Sequence, residues 1–154
     1  MKPLKTIFLG LLFLIAANLS AQNFYIYPEQ ALEFGDFIVA GTGGTVTVTN
    51  SGMRSSSGTI QLLNSEYHPA IFTISTDNPA PINIIVEVSR EALINSEGTT
   101  MMMASVSTIA DTYTIQAGKP VKVRIGGTIQ VNSGVFSPGE FQGNISITVS
   151  PNSE

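Results

Sequence analysis

The stretch KPVKVRIGGTIQV, Lys119–Val131, decides the fold class. Val121, Val123, Ile125, Ile129 and Val131 fall on one parity, while Lys122, Arg124, Thr128 and Gln130 fall on the other. Alternation with a period of two marks a half-buried β-strand, because successive side chains leave opposite faces of the pleat. The Gly126-Gly127 pair removes side chains without changing the phase. The stretch therefore reads as one long strand bent at its glycines.

The same period runs through the chain on either side. INIIVEVS sets Ile82, Ile84, Val86 and Val88 on one face, with Ile85 on the other. AIFTIS gives Phe72 and Ile74, TIQLL gives Ile60 and Leu62, and TVTVT gives Val46 and Val48. NFYIY, Asn23–Tyr27, divides into Phe24 and Ile26 on one side and Tyr25 and Tyr27 on the other. In ALEFGDFIVA the face of Leu32 and Phe34 passes to Phe37 and Val39 after a slip of one residue at Gly35-Asp36, which reads as a β-bulge. TMMMASVST and TYTIQ read as weaker strands. The closing segment PGEFQGNISITVSP, Pro138–Pro151, alternates again, with Ile145, Ile147 and Val149 opposite Ser146 and Thr148.

Turn residues separate these runs: Gly41–Gly44 reads as a hairpin turn, and Asp77–Pro81 excludes a central strand. Glu91–Gly98 is the one place for a helical turn. Many short alternating strands between Gly, Asn and Pro predict an all-β, immunoglobulin-like antiparallel β-sandwich, with an open barrel as the alternative. Neither a repeat nor a linker divides it.

The first residues read differently. Lys2 and Lys5 precede the apolar run IFLGLLFLIAA, and NLSA supplies small residues for cleavage after Ala21. This is the pattern of a secretory signal peptide over 1–21, and the run is too short for a bilayer span of about 20 residues. Export is expected, to the periplasm or the cell surface, with no membrane insertion afterwards and one sandwich domain over 22–154. That domain would hold 133 of the 154 residues and five Lys and Arg against eleven Asp and Glu, a formal charge of −6. Nucleic acid needs a basic footprint, so it is excluded as a partner. The chain has no cysteine, so no disulfide framework supports the fold and the core must hold it alone.

The order of several short motifs resembles a known family. These are Leu32-x-Phe34-Gly35, Gly43-Gly44-Thr45-Val46, Arg54 in a Gly- and Ser-rich connection, Gly126-Gly127-Thr128-Ile129, and Phe141-Gln142-Gly143 entering the last strand. Together they resemble the exported bacterial family designated domain of unknown function 4402, over nearly all of 22–154. The likeness implies a layout similar to spore-coat and pilin-type sandwiches, which assemble outside the cell.

Catalytic groupings are not expected. Nucleophilic catalysis needs a base beside an activated hydroxyl or thiol, and the one histidine, His68 before Pro69, reads as a solvated turn residue. GTGGTV lacks the third glycine and the helix of a dinucleotide loop. The acids are scattered singly, such as Glu87 and Glu140, without the paired spacing of a glycosidase or the close oxygen run of a calcium loop. No cofactor or metal is expected. Met101–Met103 sets Met101 and Met103 on one face and Met102 on the other, and one of the two faces reads as core.

Three expectations concern function. The chain is expected to be a non-enzymatic structural or surface-assembly domain, pilus- or adhesin-like, whose partners are copies of itself or other surface subunits. Phe24 and Ile26 mark a candidate strand-addition segment, able to lie against the open edge of the closing strand, Gly143–Val149. Arg54 is a candidate loop clamp or anion contact. The alternative is a secreted glycan- or protein-binding module using Tyr25, Tyr27, Tyr67 and Tyr113 as stacking platforms.

Overall fold

β-Branched residues alternating with Thr, Ser and Asn favour extended backbone. The computed structural model describes residues 22–132 and 139–152, and these hold twelve strands and no helix. The expected signal peptide, 1–21, lies outside them. In chain order the strands are β1 Phe24–Gln30, β2 Phe37–Val39, β3 Gly43–Val48, β4 Arg54–Ser56, β5 Ile60–Leu62 and β6 Ala70–Thr76. Then follow β7 Ile82–Arg90, β8 Leu93–Ile94, β9 Thr100–Ser107, β10 Thr112–Ile115, β11 Val121–Asn132 and β12 Ile145–Pro151. Every pairing is antiparallel.

The long strand β11 is the spine. Its first half, Val121–Ile125, pairs with β6, and its second half pairs with β3 from Gly127 and with β9 from Gly126. The change of neighbour falls at the glycine pair. A Cβ at Gly126 would stand 2.5 Å from the Asn50 nitrogen, and one at Gly127 would stand 2.8 Å from Leu32 Cδ2. Both glycines therefore admit close neighbours as well as continuing the strand.

The two halves of β11 serve two apolar clusters. In one, Ile74 of β6, Ile84 of β7, Ile115 of β10 and Val123 and Ile125 of β11 are buried, so the layer β10-β7-β12 faces β1-β6-β11. Each fully buried aliphatic side chain stabilises by about 1.5–3 kcal/mol. In the other, Val46 and Val48 of β3, Met101 and Met103 of β9 and Ile129 and Val131 of β11 meet Phe34 and Ile60. Leu32, Val106 and Ile145 touch both clusters and join them. The result is an antiparallel β-sandwich with a continuous aliphatic interior.

Three local expectations are corrected. The turn at Gly41–Gly44 does not close a hairpin, since β2 pairs with β5 while β3 pairs with β4 and β11. The real hairpin is β3–β4, closed by Thr49–Met53. Leu32–Phe34 is not a strand with a bulge; a single bridge ties Glu33 to His68, and Gly35 reverses the phase with φ +67°. The expected helical turn over Glu91–Gly98 is instead β8 and a tight turn, because Asn95 Oδ1 accepts the N–H groups of Glu97 and Thr99. That side chain competes with the helix for the donors a first turn would use.

Candidate functional site

Arg54 begins β4 and points its guanidinium into the connections around β2 and β5. Nη1 donates to the Leu63 carbonyl at 2.9 Å and Nη2 to the Asp36 carbonyl at 2.7 Å. The cation lies 5.4 Å from the centre of the Tyr67 ring, a favourable cation–π separation. Asp36 N–H donates to Ser65 Oγ at 2.6 Å, closing the same knot. Burial pulls the guanidinium below its ordinary range, while Asp36 and Tyr67 act the other way. Gly35 must be glycine here: besides its positive φ, a Cβ would meet the Glu66 carbonyl oxygen at 2.6 Å and Arg54 Cζ at 3.1 Å.

The neighbouring His68 is not simply solvated, which corrects its reading as a free turn residue. It is half-buried, with Nδ1 2.9 Å from the Ala31 carbonyl and Nε2 3.0 Å from Glu33 Oε2, and its backbone exchanges two hydrogen bonds with Glu33. It holds the Leu32–Phe34 segment over the join between the two cores.

Two further arginines do what Arg54 does, and sequence reasoning missed them. Arg90 Nε donates to the Met103 carbonyl at 2.7 Å, and Arg124 Nε donates to the Asn50 carbonyl at 2.8 Å. A signal was present for Arg90, a lone cation in a chain with only 12% charged residues; Arg124 stands beside Lys122 and Lys119 and had none. Lys122 pairs with Glu29 at 2.6 Å, across the outer face of β11, β6 and β1. These basic side chains bind parts of their own fold.

The candidate strand-addition segment sits within the fold. β1 pairs with β6 from Phe24↔Thr76 to Gln30↔Ile71, with a register shift between Pro28 and Gln30. Phe24 and Ile26 are half-buried, and Phe24 packs on the cluster that contains Ile74. The expected pairing with the closing strand is not formed. β6 offers a ladder whose inner parity continues that of β1, so Phe24 gains a packed apolar site there.

The closing strand pairs instead with β7, from Ile145↔Arg90 to Pro151↔Ile84. Glu91 N–H donates to Asn144 O and Asn152 N–H donates to Asn83 O, so even-numbered residues of this strand direct their backbone groups at β7. In an antiparallel ladder the residues between them face the other way. The N–H and C=O groups of Ile145, Ile147 and Val149 thus point to the outer edge, where no other strand of the described residues lies. Their side chains are half-buried against the interior, and no charged residue interrupts Ile145–Pro151.

The four tyrosines separate. Tyr25 and Tyr27 share the outer face of β1, 42% and 57% exposed, opposite Ser75 and Thr73 of β6. Tyr67 is engaged by Arg54, and Tyr113 packs on the interior with a buried hydroxyl. An apolar cleft of about 1320 Å³ opens where the two clusters meet, lined in part by Leu32, Phe34, Phe72, Met103 and Phe141. Three of the four carboxylates that line it are engaged: Glu29 by Lys122 and Thr73, Glu33 by His68, and Glu140 by Gln142. Among the described residues no three His, Asp or Glu side chains gather in a way that could hold a metal ion.

No curated protein matches the chain in sequence. The family described as a domain of unknown function (DUF4402) matches residues 25–150, from the first strand to the last. This sandwich belongs to the DUF4402 family.

Proposed function

We propose that the chain is a non-enzymatic, exported structural or surface-assembly domain, an immunoglobulin-like sandwich with a pilus- or adhesin-like role. The observation that carries this reading is the outer edge of β12: three residues with backbone groups directed away from the fold, on a strand with no charge. Such an edge is a template for another extended chain unless it is blunted or covered. Supporting it, the arginines bind backbone carbonyls, and Glu29, Glu33 and Glu140 at the cleft are held by neighbours, so these polar groups serve the architecture. The first 21 residues, with their basic start and apolar run, support export. Arg54 acts here as a loop clamp.

Two measurements test the reading. Fractionation of cells making the full chain is expected to place it outside the cytoplasm, shortened by the first 21 residues. Light scattering of the purified protein across concentration is expected to report self-association or binding to other surface subunits. A protein retained in the cytoplasm, or one monomeric and without a bound subunit after isolation from its native envelope, overturns it.

One observation favours a second reading, a glycan- or protein-binding module. Tyr25 and Tyr27 stand side by side on a solvent face among hydroxyl groups, a surface on which a flat apolar ligand face can stack. Loss of signal on a glycan array after Tyr25→Ala with Tyr27→Ala is the expected result; an array blank for the unaltered protein rejects this alternative.

A further inference from the structure

We propose that the outer edge of β12 pairs with the same edge of a second copy, antiparallel, with Ile147 on the two-fold axis. This rests on the assembly reading and names its partner and register.

The strand itself selects the occupant. The outward-facing residues are Ile145, Ile147 and Val149, which are symmetric about Ile147. Turned about that residue, the strand sets Ile147 opposite Ile147 of the second copy and Ile145 opposite Val149. These three narrow pairs exchange two main-chain hydrogen bonds each, about six in total. Apolar side chains then meet apolar ones on the inner face, where Ile145, Ile147 and Val149 are only half-buried in the single chain. On the outer face Ser146 meets Thr148, a hydroxyl pair suited to cross-strand bonding. Like charges directly opposite would oppose self-pairing, and Ile145–Pro151 has none. The chain's net negative charge disfavours self-association elsewhere on the surface, so an uncharged edge is where two copies meet at least cost. Pro151, which lacks an N–H, ends the pairing on each side. The two three-stranded layers become one continuous sheet, β10-β7-β12 joined to its symmetry mate.

The absence of cysteine allows a direct test. Ser146→Cys and Thr148→Cys are made as separate single variants, purified, and oxidised alone or mixed. In the proposed register these positions form a wide pair with Cα atoms about 4.5 Å apart, within disulfide reach. The mixture is expected to give linked dimer and either variant alone only traces. Ser146→Lys with Thr148→Lys sets two lysine pairs opposite each other and is expected to weaken the dimer by about fivefold or more in light scattering. Both positions face solvent and Thr148 lies beside Glu87, so folding is preserved. Oligomers that form without the mixed cross-link overturn pairing at β12 while leaving assembly through another edge. A chain that stays monomeric at every concentration overturns the pairing, and binding to other subunits then decides the assembly reading separately.

Discussion

β1 and β12 are the same length, each pairs with one strand only among the described residues, and each packs on the cluster around Ile74 and Ile84, β1 through Phe24 and β12 through Ile145, Ile147 and Val149. Their outer edges differ. β1 has Pro28 and Glu29 in its second half and a register shift between Pro28 and Gln30, with Glu29 held by Lys122 and Thr73. Proline, charge and irregular register are the devices by which natural sheets refuse an extra strand. β12 runs in unbroken register from Ile145 to Pro151 with neither charge nor bulge. The strand with more apolar contact on its inner face has the less protected rim, so protection of an edge is set residue by residue, separately from packing of the inner face.

The largest expected effects test the shared support. Ile74 pairs with Ile26 of β1, and Ile84 pairs with Pro151 of β12; both are fully buried. Ile74→Ala and Ile84→Ala are each expected to lower unfolding free energy by about 2–5 kcal/mol in urea titrations. Amide exchange is expected to quicken first in β1 for the former and in β12 for the latter. Equal loss in both strands from either change would abolish the distinction between the two edges.

A pair of proline substitutions tests the orientation of β12 with a smaller effect. Thr148 directs its N–H at Glu87, so Thr148→Pro removes a ladder bond and is expected to cost about 1–3 kcal/mol. Val149 directs its N–H outward, so Val149→Pro is expected to cost less in urea titration while lowering any self-association seen by light scattering. The reverse order of costs would invert the strand's edge.

Much of this was legible in the residues. Parity alone assigns the buried faces of β3, β6, β7, β11 and β12, and it separates Met101 and Met103 from the exposed Met102. What parity cannot give is the neighbour of each strand. β1 meets β6 across more than 40 residues of chain, and nothing local distinguishes that partner from β12. The partners of Arg54 were illegible for another reason: the carbonyls of Asp36 and Leu63 have no side-chain identity, so any loop brought near would look the same in sequence. The outward direction of Ile145, Ile147 and Val149 follows from register with β7, and register is fixed only when the inner faces pack.

Removing the protection of β1 sharpens the contrast from the other side. Pro28→Thr with Glu29→Thr restores an N–H and deletes a charge, making β1 resemble β12. Light scattering is expected to report larger species than the unaltered protein forms, since two edges per chain propagate where one edge closes a pair. An unchanged size distribution would mean that Pro28 and Glu29 do not guard the edge.

The smallest expected effect is electrostatic and belongs to β1 alone. The hydrogen bond from Lys122 holds the Glu29 carboxyl below its ordinary range, followed by the bond from Thr73, with burial acting weakly the other way. A carboxyl whose value is lowered by folding stabilises the fold above its unfolded value and loses that contribution as pH falls through the folded one. Stability should therefore decline slightly as pH drops from the ordinary carboxylate value of 4.5 downward, and Lys122→Met should flatten that part of the profile. Because the pair is exposed, salt should flatten it as well. Thermal unfolding of both proteins between neutral and acid pH measures the difference. β12 has no ionisable side chain, so its edge should respond to acid only through its neighbours, and a β1 that loosens in acid while β12 does not would bring the two edges closer in behaviour.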